Sequence, residues 1–213
     1  MATKEKILDT AERLIASQGF AATSLRQIIS EAQVNLAAVH YHFGSKEDLL
    51  DVLVLRKVTR VNEEREALLE RFEREAGGAP VPVENILAAF FQPMIEAGCR
   101  NPQFVRLMGR LIAEGMIPSI AAKHFQPTTT RFVNALRRSL PQLSEGELFW
   151  RVQFMFGAMS HTVGGLALTV PQIHGDGADF QLVMRRLVAF LGAGMNAPPT
   201  KEMSNENGLA SIG

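Results

Sequence analysis

Residues 35 to 50 read NLAAVHYHFGSKEDLL, and within them His40, Tyr41 and His42 stand in a row. Such side chains could ligate a metal, move protons or contact nucleic acid. Paired metal ligands on one helix need a spacing of three or four to share a face. His40 and His42 are two apart, and no Cys or carboxylate cluster flanks them. Nucleophilic catalysis needs a nucleophile, a base and an orienting group together, and the spacing offers no such set. No metal, cofactor or catalytic residue is expected, and the chain does not read as an enzyme.

The nucleic-acid use draws on the elements around the cluster. Ile7, Leu8, Ala11, Leu14 and Ile15 recur at helical spacing, and Gly19 with Phe20 can close that first helix. Thr23 or Ser24 then caps SLRQIISEA, whose Leu25, Ile28, Ile29 and Ala32 form one apolar stripe. After the short QVN, Asn35 can cap a second short helix carrying Leu36, Val39 and Phe43, ended by Gly44. Ser45 and Asp48 restart helix in a capping-box pattern.

Two short helices joined by a tight turn form a helix-turn-helix pattern. Ala37 and Ala38 are small enough to let the second helix approach a groove floor. Tyr41, Lys46 and the Thr23 and Ser24 hydroxyls would surround it with phosphate-contacting groups, and Arg26 could reach a guanine edge. The bland reading of the same residues is a three-helix packing unit with solvated polar groups. Over 23–46, Arg26 and Lys46 oppose Glu31, a net of one positive charge. DNA binding would therefore rest on a dimer that doubles these contacts.

The formal net charge of the whole chain is zero, which argues against strong non-specific DNA binding without excluding a local contact face. Cys99 is the single cysteine, so no internal disulfide framework exists and a reducing compartment is expected. No apolar run reaches spanning length and the start is no signal peptide. The expectation is a soluble, cytoplasmic protein with no membrane partner. Thirteen Phe and nine Met suit a large helical core or an adaptable cavity within it.

A long helix is predicted from about Lys46 to Glu75, then a break at GGAPVP. Further helical segments fall near 82–98, 102–115, 117–139, 144–168 and 179–195, with Pro93 and Pro127 expected to kink or split two of them. Period-2 alternation is absent, so the class is all-α. The predicted layout is a helix-turn-helix domain over 1–47, a helical ligand-binding and dimerisation domain over 48–196, and a disordered tail over 197–213.

The run from Lys4 to Leu50, with ILDTAERLIASQGFAATSLRQII and then VNLAAVHYHFGSKEDLL, resembles the N-terminal DNA-binding domain of the tetracycline-repressor-like family of bacterial regulators. The resemblance implies a recognition helix over Asn35–Phe43 that enters double-stranded operator DNA. Leu36, Ala37, Ala38 and His40 take base-facing positions in it, Tyr41 and Lys46 phosphate positions, and Arg26 the base-reaching arginine. Asn35, His42 and the Thr23 and Ser24 hydroxyls complete the candidate DNA-contact set. Two departures stand out. Gln33 occupies a turn position that commonly holds Gly, and His40 one that commonly holds Tyr.

The family's larger domain binds a small effector and forms a homodimer. ELFWRVQFMFGAM is similar to a branch that responds to fatty acids or their acyl thioesters. Candidate lining residues for an apolar cavity are Phe90, Phe91, Met94, Phe104, Leu107, Met108, Leu111, Phe125, Phe132, Phe154, Met155 and Met159. The same residues could simply fill the core. Arg106, Arg110, Arg131 and Arg151 are candidates to meet an anionic head group. Gly157 and Gly164, with Leu182, Val183, Leu187, Phe190 and Leu191, are candidates for the dimer interface. The expected protein is a ligand-responsive repressor coupled through the long fourth helix. The rival is an apolar-ligand carrier without specific DNA binding.

Overall fold

The computed structural model describes residues 3–168 and 180–200. Among these the chain is helical throughout, as α1 (Thr3–Gln18), α2 (Leu25–Ala32), α3 (Leu36–His42), α4 (Lys46–Glu75), α5 (Val83–Arg100), α6 (Pro102–Ala113), α7 (Ile117–His124), α8 (Gln126–Ser139), α9 (Glu145–Leu168) and α10 (Phe180–Asn196). The expected tail lies outside the described residues beyond Thr200, as does the loop over 169–179.

Local chemistry sets the N-terminal boundaries. Ser24, Asn35 and Ser45 each accept a hydrogen bond from the backbone N–H three residues on, satisfying an orphan donor of α2, α3 and α4. Gln33 sits in the left-handed region at φ 52°, and its N–H together with that of Val34 closes the end of α2 on Ser30 and Ile29. It is the one non-glycine residue with positive φ among the described residues. The position that favours Gly therefore carries a side chain, at a cost of about 1 kcal/mol.

Two prolines behave differently. Pro127 enters at the start of α8, where its missing N–H leaves nothing unsatisfied, so the segment expected over 117–139 is two helices. Pro93 lies buried inside α5, which nevertheless runs unbroken from Val83 to Arg100.

Two apolar clusters organise the fold. The first gathers Ile7, Leu8, Ala11, Leu14 and Ile15 of α1 with Ile28, Val39 and Phe43, and then Leu49, Leu50, Leu53, Val54 and Val58 of α4. Leu107 and Leu111 of α6 and Ile120 of α7 also belong to it. The second joins α5, α8, α9 and α10 around Phe90, Phe91, Phe132, Met155 and Met184, with Leu69 from the far end of α4. The core of the N-terminal unit therefore runs across the boundary expected at residue 47, and α4 and α6 reach both halves.

Candidate nucleic-acid interface and ligand cavity

α3 is held by its buried side, where Val39 is fully enclosed and Phe43 nearly so. Its other side is open. Leu36 is 55% and Tyr41 86% exposed, Ala37 and His40 are exposed, and Ala38 and His42 are half-buried. Exposing a Leu and a Tyr this fully on a seven-residue helix leaves them available to a partner. His40 Nδ1 lies 3.0 Å from the Gly44 carbonyl oxygen, which can only accept, so Nδ1 is the donor in this contact. The His42 ring stands edge-on between Tyr41 and Phe43.

Arg26 on α2 is exposed, and so is Ser24, whose Oγ accepts from the Gln27 N–H at 3.1 Å and keeps its own proton free to donate. Asn35 Oδ1 is occupied by the Ala38 N–H at 2.8 Å, leaving only its amide NH₂ outward. The one carboxylate of α2, Glu31, is tied to Arg13. That pairing, with help from Gln27, holds its carboxyl below the usual range.

Two residues expected to contact phosphate do other work here. Thr23 is buried, its hydroxyl donating to the Gly19 carbonyl at 2.6 Å and accepting from Gln18 Nε2 at 3.2 Å. Lys46 donates to the Phe20 and Thr23 carbonyls, both at 2.8 Å, and lies 4.1 Å from the Phe20 ring centroid. The Thr23 hydroxyl closes the α1–α2 turn on itself, and Lys46 ties that turn to the start of α4. The sequence motif placed them beside the recognition helix, but the Thr23 hydroxyl and two of the three Lys46 donors are already engaged within the fold.

A cavity of about 530 Å³ lies between the two apolar clusters. Of the candidate lining residues, Phe90, Met94, Phe104, Met108, Phe125 and Met159 border it. The other six do not. Leu107 and Leu111 are fully buried in the first cluster under α1, and Phe91, Phe132 and Met155 are packed in the second. Phe154 is 65% exposed on the outer side of α9. Sequence reasoning missed the α4 wall, formed by Val58, Val61 and Arg65, and also Phe156 and Val163 on α9. Arg65 occupies a core position in the repeat Val58, Val61, Arg65, Leu68, which could have revealed it among its charged neighbours.

The four arginines expected near a head group have other situations. Arg110 donates to the Ser17 carbonyl, Arg131 pairs with Glu70 and Glu73, and Arg106 is exposed. Arg151 is buried, pairing with Glu147 and donating to the carbonyls of Gly194, Met195, Ala197 and Pro198 at the end of α10. None of the four borders the cavity.

The interface candidates divide in the same way. Leu182 and Phe190 are exposed, at 42% and 72%, whereas Leu187 and Leu191 point inward into the second cluster and Val183 is half-buried. Gly157 is exposed, and the side-chain surroundings of Gly164 fall outside what is described. Three residues that were not foreseen, Phe149, Trp150 and Phe154, form a ring cluster on the outside of α9, with Trp150 stacked on Phe154 at 6.1 Å. Among the described residues no helix is long and apolar enough to cross a membrane, and no group of three or more His, Cys, Asp or Glu is arranged to hold a metal.

Two sequence profiles match the chain. Bacterial regulatory proteins of the tetR family match residues 7–53, and the tetracyclin repressor-like C-terminal domain matches residues 88–194. Among curated relatives, the transcriptional regulator LmrA of Bacillus subtilis is 30% identical over 118 residues, 55% of this chain and 59% of its own. UidR of Escherichia coli is 28% identical over 150 residues, 67% of this chain and 68% of its own. Matches to YerO and YttP of Bacillus subtilis are closer, at 49% and 41%, but span only 16% and 26% of those proteins. Of solved structures, a TetR-like regulator from a Rhodococcus species aligns with TM-score 0.62 at 15% identity, covering 91% of this chain and 95% of the other. PfmR of Thermus thermophilus aligns with TM-score 0.55 at 21% identity, covering 87% and 96%. These similarities carry the fold, while the profiles carry the assignment. With its helix-turn-helix and its helical C-terminal domain both matched, the chain belongs to the tetracyclin repressor-like family of bacterial transcriptional regulators, which are not enzymes.

Proposed function

We propose that the protein is a homodimeric repressor that leaves a palindromic operator when a fatty acid or its acyl thioester enters the cavity. The single observation that carries this reading is the two-faced α6. Phe104, Met108 and Ile112 border the cavity, while Leu107 and Leu111 are buried beneath α1. At its end, Glu114 accepts the Phe20 and Ala21 N–H groups, both at 2.9 Å, on the turn that leads into α2. A ligand that displaces α6 displaces the helix-turn-helix with it. Coupling thus runs through α6 as well as the long α4. Coupling of roughly 1–3 kcal/mol suffices to change operator occupancy several-fold or more.

Leu36, Ala37, His40 and Tyr41 would read the groove, with Arg26 on a base edge and Ser24 on phosphate. Dimerisation is supported by the aromatic cluster of α9 and by Phe190, since monomers rarely leave such surface uncovered. A two-fold dimer would set two recognition helices on successive major-groove faces.

The test is fluorescence anisotropy of the protein on DNA upstream of its own gene and on sites selected from random DNA, over a salt series. Tight, competitor-resistant binding that dodecanoate or its thioester reverses is the expected result. Ligand binding with no retained DNA in either pool would replace the regulator by a carrier.

A further inference from the structure

Arg65 sits in the cavity wall as a charge without a counter-ion. The side chain is 3% exposed and borders the cavity. Nε donates to the Phe90 carbonyl at 2.7 Å, Nη1 donates to Asn62 Oδ1 at 3.1 Å, and the guanidinium stacks 4.1 Å from the Phe90 ring centroid. Those contacts use two of five donors, and no carboxylate lies within ion-pair distance among the described residues. Three of the other four arginines of α4 are ion-paired, and the fourth, Arg74, is exposed to solvent. Arg56 meets Glu5, Asp9 and Glu12, Arg60 meets Glu64, and Arg71 meets Glu75. The second buried arginine, Arg151, has Glu147. Burial pulls the Arg65 guanidinium down to about 9, which still leaves it charged at neutral pH. A buried, unpaired charge is costly unless something compensates it.

We infer that Arg65 is the recognition residue for the effector's head group, and that the effector is an apolar monocarboxylate rather than its thioester. A carboxylate matches the guanidinium fork with two parallel hydrogen bonds and would supply the missing negative charge. The body of such a ligand would lie along Met94, Phe104, Met108, Phe156 and Val163, which present no competing donor or acceptor on their side chains. A thioester has lost the carboxylate that would pair with the guanidinium, and its charge resides on the coenzyme, away from the acyl carbon. This inference rests on the cavity being the effector site.

The experiment is displacement of the neutral dye Nile red from the full-length protein by dodecanoate, dodecanol and dodecanoyl-coenzyme A, with operator retention measured on the same preparations. Dodecanoate is expected to displace the dye about ten- to hundredfold more strongly than dodecanol, the scale of a hydrogen bond to a charged group. Arg65→Gln should erase that difference while leaving dodecanol unchanged, and Arg65→Lys should keep part of it. Circular dichroism checks that the variants are folded. Equal potency of acid and alcohol on the wild-type protein overturns the inference without needing any variant. So does an acid preference that survives in folded Arg65→Gln, or a thioester that outcompetes the acid. Operator binding with no acid preference removes this inference alone, whereas acid preference without operator binding removes the regulator reading alone.

Discussion

Lys46 and Tyr41 stand five residues apart and look alike as phosphate ligands, yet their surroundings separate them. Lys46 holds two carbonyls and covers the Phe20 ring, while Tyr41 is almost wholly in solvent. Lys46→Ala should therefore lower stability by about 1–2 kcal/mol, since it takes away the Lys46 donor from the Thr23 carbonyl and one of the two donors to the Phe20 carbonyl, and the loss would be read as a lower midpoint in urea unfolding. Tyr41→Ala should leave that midpoint unchanged and weaken operator binding. If the two effects were exchanged, the assignment of both residues would be wrong. Sequence spacing placed both side chains correctly in the chain. It could not show that one of them is already satisfied by backbone from a turn some twenty residues earlier.

Helix boundaries were legible because their determinants are local. Ser24, Asn35 and Ser45 cap the helix they precede, and Gly44 takes a positive φ after α3. Which side of a helix meets empty space was not legible. Leu107 and Met108 are adjacent and equally apolar, but one is sealed under α1 and the other faces the cavity. Periodicity groups residues by face, and the identity of each face depends on partners far away in sequence. Glu114 is such a partner. Glu114→Gln should reduce the ligand's power to release DNA more than it reduces operator affinity, as seen by titrating ligand against the preformed complex.

The junction of α4 and α7 makes a pH prediction. Burial alone would raise the Asp51 carboxyl, but Lys123 and then His124 overcome it and leave the group below its ordinary 3.8. A depressed carboxyl contributes stability that is present above its unfolded value and lost as pH falls through the folded one. Acidification below about pH 4 should thus weaken the wild type more than Asp51→Asn. Urea midpoints at about pH 7 and about pH 3 decide the matter.

On the scale of the whole molecule, zero net charge and few basic groups near α3 leave a single 23.4 kDa chain with little hold on DNA. The proposed dimer would double that hold, and the exposed rings of α9 and Phe190 of α10 are where two copies would meet. Phe154→Glu and Phe190→Glu replace side chains that touch solvent, so the fold should persist. Sedimentation should find monomers, with operator binding lost. Persistent dimers in both variants would move the interface elsewhere.

The position of α6 also bears on how members of this family can be recombined. A regulator built as two modules could exchange its sensor by cutting in the linker between them. Here Leu107, Leu111 and Glu114 belong mechanically to the DNA-reading half although they lie more than fifty residues past the expected boundary. A chimera spliced near residue 47 inherits a foreign floor beneath α1. One that carries α6 along with α1 to α4 keeps the floor but imports part of the old ligand wall. If the cavity is the sensor as proposed, its specificity and the DNA geometry would drift together, and new ligands should be easiest to acquire through the walls contributed by α8 and α9.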